Sequence, residues 1–273
     1  MFVVFEGIDG SGKTTISNLV VEQLKARGLS VKHLRADGKF VSTVSESIRA
    51  LARDSRNLDL VPRAEFLLYV ARDVQLIEEA LHDALATHDV VIADRFLYTA
   101  EVLGRFGRGL TKDYVTPVLT AAANGLAPDL VVLVDVDPVL ARARRKASKL
   151  VTKDQRPPSR KGLSGVGLQH RLRRGYLELA REDPGRWVTL QNESALETSV
   201  QDVTELIDTA VREGAAVAIE RQQQRREATK RNRQAVDSAR AALEQLLAWL
   251  TDRAEREPQV AAYVLGGLHG PEV

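Results

Sequence analysis

Short apolar runs alternate with longer helical patterns along most of this chain. Phe2 to Glu6, Val31 to Arg35, Val90 to Ala93, Leu130 to Val134 and Trp187 to Leu190 are Val-rich segments bounded by polar residues, and they read as strands. Between them the spacing of apolar positions predicts helices at about 13–27, 42–54, 62–87, 96–105, 111–123, 138–150, 166–182 and 195–213. Gly28 is a plausible stop for the first of these. Strands alternating with helices imply an α/β fold, with a central parallel sheet of about five strands covered by helices on both faces. The stretch Thr152 to Gly167 carries Pro157, Pro158 and several glycines among many cations, and it is expected to be a basic loop rather than a regular element.

Beyond about residue 213 the pattern changes. Arg221 to Arg233 is almost wholly polar and basic. A stripe of Val236, Ala239, Leu243, Leu246, Leu247 and Leu250 follows at helical spacing. The expected organisation is a domain at 1–212, with a lid at about 142–167, and a helical extension at 213–273 built as one long helix or a hairpin. Acidic residues interspersed among the cations favour packing on the chain's own domain, or pairing with another copy, over nucleic-acid binding.

Composition changes this picture little. A chain of 273 residues with 44% apolar content can bury a substantial core, and a net charge of +2 gives no global argument for nucleic acid. The absence of cysteine excludes disulfides and thiolate metal sites, which suits a cytoplasmic setting. There is no basic leader, and no apolar run approaches the roughly 20 residues of a spanning helix, so no membrane partner is expected. None of the five histidines has metal-ligand spacing.

The chemistry lies first in Gly7-Ile8-Asp9-Gly10-Ser11-Gly12-Lys13-Thr14, followed by Thr15, which fits G-x-x-x-x-G-K-[ST] between a strand and a helix. In that context backbone N–H groups and the positive end of the helix face an anion, and Gly7, Gly10 and Gly12 permit the curvature. Lys13 would reach the β- and γ-phosphates of a nucleotide, and the Thr14 hydroxyl would ligate magnesium. Such a loop serves kinases, GTPases, ATPases and sulfotransferase-like folds alike.

A second signal is the run Asp89 to Arg95, a buried strand ending in a carboxylate and a guanidinium at the sheet edge where open α/β folds bind ligands. Asp94 could complete a magnesium shell and Arg95 could hold a substrate phosphate, the plainer reading being a structural ion pair. Arg35 and Arg72, the latter beside Asp73, are candidate clamps on an acceptor phosphate, although each alone reads as a surface cation. The cations Arg142, Arg144, Arg145, Lys146, Lys149, Lys153, Arg156, Arg160 and Lys161 could form a lid that stabilises a transferring phosphoryl group.

Taken together these residues resemble the thymidylate kinase family of nucleoside monophosphate kinases. Phe5 to Thr15 is similar to that family's phosphate loop, and Asp94-Arg95-Phe96 with Gly104 to Leu110 to its DR[YF] motif and the stretch after it. Asp135 to Pro138 with Arg142-Ala143-Arg144 resembles the lid entry, and Arg171 to Ala180 the helix after the lid. The likeness covers about residues 1–210. It implies ATP and Mg2+ as cofactors, a homodimer, and transfer from ATP to a nucleoside monophosphate such as dTMP. It further implies that Lys13 and the lid arginines Arg142 and Arg144 stabilise the phosphoryl group, Arg95 grips the acceptor phosphate, Asp9 approaches the sugar and Tyr69 lies near the base, with Thr99 beside them.

Several positions depart from the family pattern. Thr99-Ala100 and Leu103-Gly104 stand where the family usually has a Ser-Ser or Ser-Asn pair and then Tyr and Gln. The usual Asp-Arg is reversed as Arg72-Asp73, and Arg35 to Phe40 lacks the proline of R-x-P-G-G-T. A different small acceptor, or a nucleotide-dependent binding module, therefore stays open at the level of sequence.

Overall fold

A computed structural model describes residues 1–36, 39–151, 165–192 and 195–256. Five strands, β1 (Phe2–Glu6), β2 (Val31–His33), β3 (Val90–Asp94), β4 (Leu130–Asp135) and β5 (Trp187–Gln191), form one all-parallel sheet in the order β2-β3-β1-β4-β5. Their sequences are nearly continuous apolar runs because both faces are covered. Phe2, Val4, Val91, Ala93, Val131 and Leu133 join one core, while Val3, Phe5, Val90, Ile92, Val132 and Val134 join the other. The second core takes α1 (Lys13–Ala26) and α9 (Leu196–Glu213).

The first core takes α3 (Pro62–Leu76), α5 (Leu97–Val102) and α8 (Gly165–Glu182), with α2 (Thr43–Arg53) packed on α3. The predicted helix 62–87 is continuous but contains a π-helical turn, Ile77–Leu81, before α4 (His82–Thr87). The predicted helix 96–105 likewise runs from α5 into a π-helical turn, Leu103–Gly107. Helices α6 (Lys112–Ala123) and α7 (Pro138–Val151) complete the domain.

Two expectations need adjustment. Strand β2 ends at His33, so Arg35 sits in the turn beyond it. Gly165 to Gly167 belong to α8, because a positive φ of 73° at Gly165 lets the chain turn directly into the helix, and the rest of the predicted loop lies outside the described residues. The chain divides into compact units at Met1–Ile219 and Glu220–Val273, Ala218 and Ile219 being buried in the first. A single helix, α10 (Ala215–Arg256), supplies the described part of the second, so the hairpin alternative is not realised there. Its charges pair along its own length, as in Arg231–Glu227 and Arg240–Glu244. Among the described residues no helix is long and apolar enough to cross a membrane.

Strand β1 is central, and the order reverses about it, so the loop leaving its C-terminal end opens at the crevice between the two halves of the sheet. One close approach fixes what surrounds that crevice. A Cβ on Gly175 of α8 would lie 2.5 Å from the Phe106 ring, so glycine lets α8 reach the segment after β3. Gly175→Ala is expected to cost about 1–3 kcal/mol by overpacking, read as a lowered urea midpoint with unchanged m-value.

Candidate active site

The loop between β1 and α1 is held in a shape only glycine tolerates. Gly7 and Gly10 have φ of 137° and 90°, and a Cβ on either would lie 2.4 Å from a carbonyl oxygen, of Val134 and Ala141 respectively. The loop is thus pressed against the end of β4 and against α7. Lys13 opens α1, and its Nζ donates to the Ile8 carbonyl at 2.7 Å and to Ser11 Oγ at 3.2 Å. Burial, aided by repulsion from Arg95, pushes its ammonium down to about 7.

A cavity of about 420 Å³ opens above this loop. Its floor is Gly10, Gly12, Lys13, Thr14 and Thr15, with Ser11 buried beneath. Thr14 Oγ1 donates to Asp94 Oδ2 at 2.5 Å, and Arg35 Nη1 lies 3.2 Å from the same oxygen. Burial resists ionisation of Asp94, but Arg35, Lys13 and Arg95 outweigh it and hold the carboxyl below its usual range. Its Oδ1 is buried with no hydrogen-bond partner among the described residues. An unsatisfied carboxylate oxygen beside a threonine hydroxyl suits a hard cation that prefers oxygen ligands.

Arg95 follows directly on β3 with φ of 83°, a left-handed backbone that favours glycine and costs an arginine about 1–2 kcal/mol. The surroundings impose it. Its N–H donates to the Phe5 carbonyl, and its Nη1 donates to the Gly7 carbonyl, Thr99 Oγ1 and Tyr176 Oη at 3.0–3.2 Å. Its Nη2 is paired with Asp9, which also lies 3.6 Å from Arg53. Behind this group Glu6, fully buried, accepts from the Phe96 N–H and from Thr99 Oγ1. Burial opposes the Arg95 charge, yet Asp9, Tyr176 and Glu6 raise its pKa further.

Arg35 and Arg72 are not the surface cations their types suggested. They are 8% and 2% exposed, and both line the cavity. Arg72 forms a two-pronged pair with Asp73 at 2.7 and 2.6 Å, and its guanidinium lies 5.0 Å from the Tyr69 ring and 5.3 Å from that of Phe40. The reversed Arg72-Asp73 order therefore still places an arginine at the cavity wall, paired with its neighbour and close to two aromatic rings. Tyr69 and Thr99 line the same wall.

Of the α7 cations, Arg144 and Arg145 line the cavity, whereas Arg142 is exposed and does not. Arg142 is exposed although it directly follows Ala141, which is buried where α7 meets Gly10. Lys153, Arg156, Arg160 and Lys161 lie outside the described residues. Sequence reasoning missed Arg49 and Arg53, which line the cavity from α2. Their i,i+4 spacing places both on one face of the helix after β2, a pattern that a solvated face shares. It also missed Asn192, Tyr176 and Glu6, which support the site from behind. Leu103 and Gly104 are buried and do not line the cavity, and a Cβ on Gly104 would meet the Phe66 ring at 3.1 Å.

The family model for thymidylate kinase matches residues 5–203. The chain is 37% identical over 190 residues to a thymidylate kinase of Trichlorobacter lovleyi, an alignment that spans 69% of this chain and 87% of that protein. It is 38% identical over 194 residues to one of Desulforudis audaxviator, covering 71% and 83%. A third, from Geobacter sulfurreducens, is 32% identical over 206 residues, covering 76% and 95%. The loop, the Asp94–Arg95 pair and the α7 arginines all fall inside the matched region, and the chain belongs to the thymidylate kinase family.

Proposed function

We propose that this chain transfers the γ-phosphoryl group of ATP to dTMP, giving dTDP and ADP. The observation that carries this reading is a single cavity that joins a phosphate loop to a buried, pre-positioned arginine, in a member of this family. The loop amides and Lys13 would bind the donor phosphates, whose negative charge restores the ammonium that burial disfavours. Thr14 and Asp94 would hold Mg2+, which when bound screens charge on the donor phosphates.

Arg95 would hold the acceptor phosphate, with Arg35 and Arg72 adding positive potential on the same wall. Asp9, already paired to Arg95 and near Arg53, would fix the edge of the guanidinium nearest the sugar. An acceptor phosphate oxygen then attacks the γ-phosphorus in line, a P–O bond forms there, and the bond to the β–γ bridging oxygen breaks to release ADP. Arg144 and Arg145 would stabilise charge on the group in flight. No covalent enzyme intermediate is required.

A homodimer is part of this reading. Val44 and Leu51, seven residues apart on α2, are exposed, as are Leu58 and Val61 in the segment joining α2 to α3 and Leu67 on α3 itself. A second copy would cover this apolar surface.

Coupled assay with ATP, Mg2+ and a panel of nucleoside monophosphates should show turnover on dTMP; no activity on any member would sink the assignment. Lys13→Ala is expected to lower kcat/KM by about 10²–10³ through loss of a charge-stabilising donor. Arg144→Ala should reduce kcat at least about tenfold while Arg142→Ala stays within about twofold, and equal effects would contradict the separation seen along α7. Sedimentation of Leu51→Glu and Leu67→Glu should show half the wild-type mass; a wild-type monomer would refute the dimer.

A further inference from the structure

We propose that Asn192 is a positioning residue of the donor site, holding the phosphate loop and Arg144 in register through one side chain and one peptide. The inference rests on the nucleotide-binding reading above. When loop amides converge on an anion, the carbonyls of the same peptides turn the opposite way, and a buried carbonyl needs a donor. Ser11 is fully buried, and its carbonyl accepts from Asn192 Nδ2 at 2.6 Å, across 181 residues of sequence. That amide is pressed against the loop, since a Cβ on Gly12 would lie 2.6 Å from the same nitrogen.

The backbone of Asn192 is fixed on both sides. Its N–H donates to the Asp135 carbonyl at 2.9 Å, at the end of β4, where Arg173 grips the Asp135 carboxylate with two bonds of 2.7 and 2.8 Å. Its carbonyl accepts from Arg144 Nη2 at 2.9 Å. One residue just past β5 therefore connects the loop peptide, the end of β4 and the cavity arginine of α7. Its contacts reach the donor half of the cavity, and none of them involves Tyr69, Thr99 or Arg72. Asparagine suits the position because an amide donates to a carbonyl, whereas the isosteric carboxylate would place an acceptor against an acceptor and a negative charge near the phosphates.

The test compares Asn192→Ala and Asn192→Asp with the full-length wild type, measuring KM for ATP, KM for dTMP, ADP affinity by calorimetry and thermal midpoint. Leaving the Ser11 carbonyl unsatisfied should raise the ATP KM and ADP Kd by about 5- to 100-fold in Asn192→Ala. Asn192→Asp should be worse, with the dTMP KM of both variants within about twofold of wild type. ATP KM unchanged in both variants, or both substrates' KM values rising together with a falling thermal midpoint, would overturn the proposal. If Asn192→Ala does not fold, the isosteric Asn192→Asp decides by the same criteria. Wild type that binds no ADP would instead sink the nucleotide reading on which the inference rests.

Discussion

Four ionisable side chains are buried where β1 and β3 end, and their mutual compensation shapes everything around them. Glu6, Lys13, Asp94 and Arg95 are each less than a tenth exposed. An isolated buried charge costs several kcal/mol, so each must sit where the others reach it. Parallel pairing of β1 with β3, with Phe5 opposite Asp94, brings the Asp94 carboxylate at the end of β3 and the Arg95 guanidinium just after it to the loop that follows β1. Sheet register thus sets the geometry of the chemistry. The left-handed Arg95 backbone is the local cost of that arrangement, offset by its hydrogen bonds to Gly7, Thr99, Tyr176 and Asp9.

The compensation is internal but incomplete. Among the described residues, six further arginines and Lys13 share the cavity with Arg95, while Asp9 and Asp94 are its acidic lining residues. Like charges lower one another's affinity for a proton. Arg35 is pushed down to about 10, by burial first and then by its cationic neighbours against the pull of Asp94. Burial and Arg53 lower Arg49 in the same way. A folded chain that tolerates such a cluster retains stabilisation to be gained when polyanions enter, which is the electrostatic form of a site built for two phosphate-bearing substrates.

Much of this was legible in the sequence, for identifiable reasons. Strands buried on both faces are continuous apolar runs, and a phosphate loop fixes its residues by backbone requirements, so β1 to β5 and the segment Gly7 to Thr15 could be placed by number. Burial of a charged residue depends on partners supplied from elsewhere in the fold. Arg35 is buried by Asp94 and Phe40, and Arg72 by Asp73, Tyr69 and Phe40, which helical spacing alone does not reveal. Arg49 and Arg53 look, in sequence, like any solvated helix face. Asn192 was invisible because its meaning lies in one carbonyl 181 residues away.

The π-helical turn at Leu103–Gly107 bears on where acceptor selectivity can reside. A π turn adds a residue to a helical turn and redirects the side chains after it. Here it lets Gly107 pack against Leu168 and Leu172 of α8, while Leu103 is buried in the core and Gly104 is closed in by Phe66, Leu110 and Val115. A tyrosine or glutamine at 103 or 104 would have to displace this packing before reaching an acceptor. The groups that do line the cavity near Asp9 are Tyr69, Thr99, Arg49 and Arg53. The Tyr69 hydroxyl is buried without a hydrogen-bond partner among the described residues, so a polar atom from a ligand would relieve an existing deficit rather than compete with an internal bond. Under the proposed function, acceptor contacts would fall to Arg49, Arg53 and Tyr69 of α2 and α3 together with Thr99 of α5, rather than to positions 103 and 104, which packing closes off.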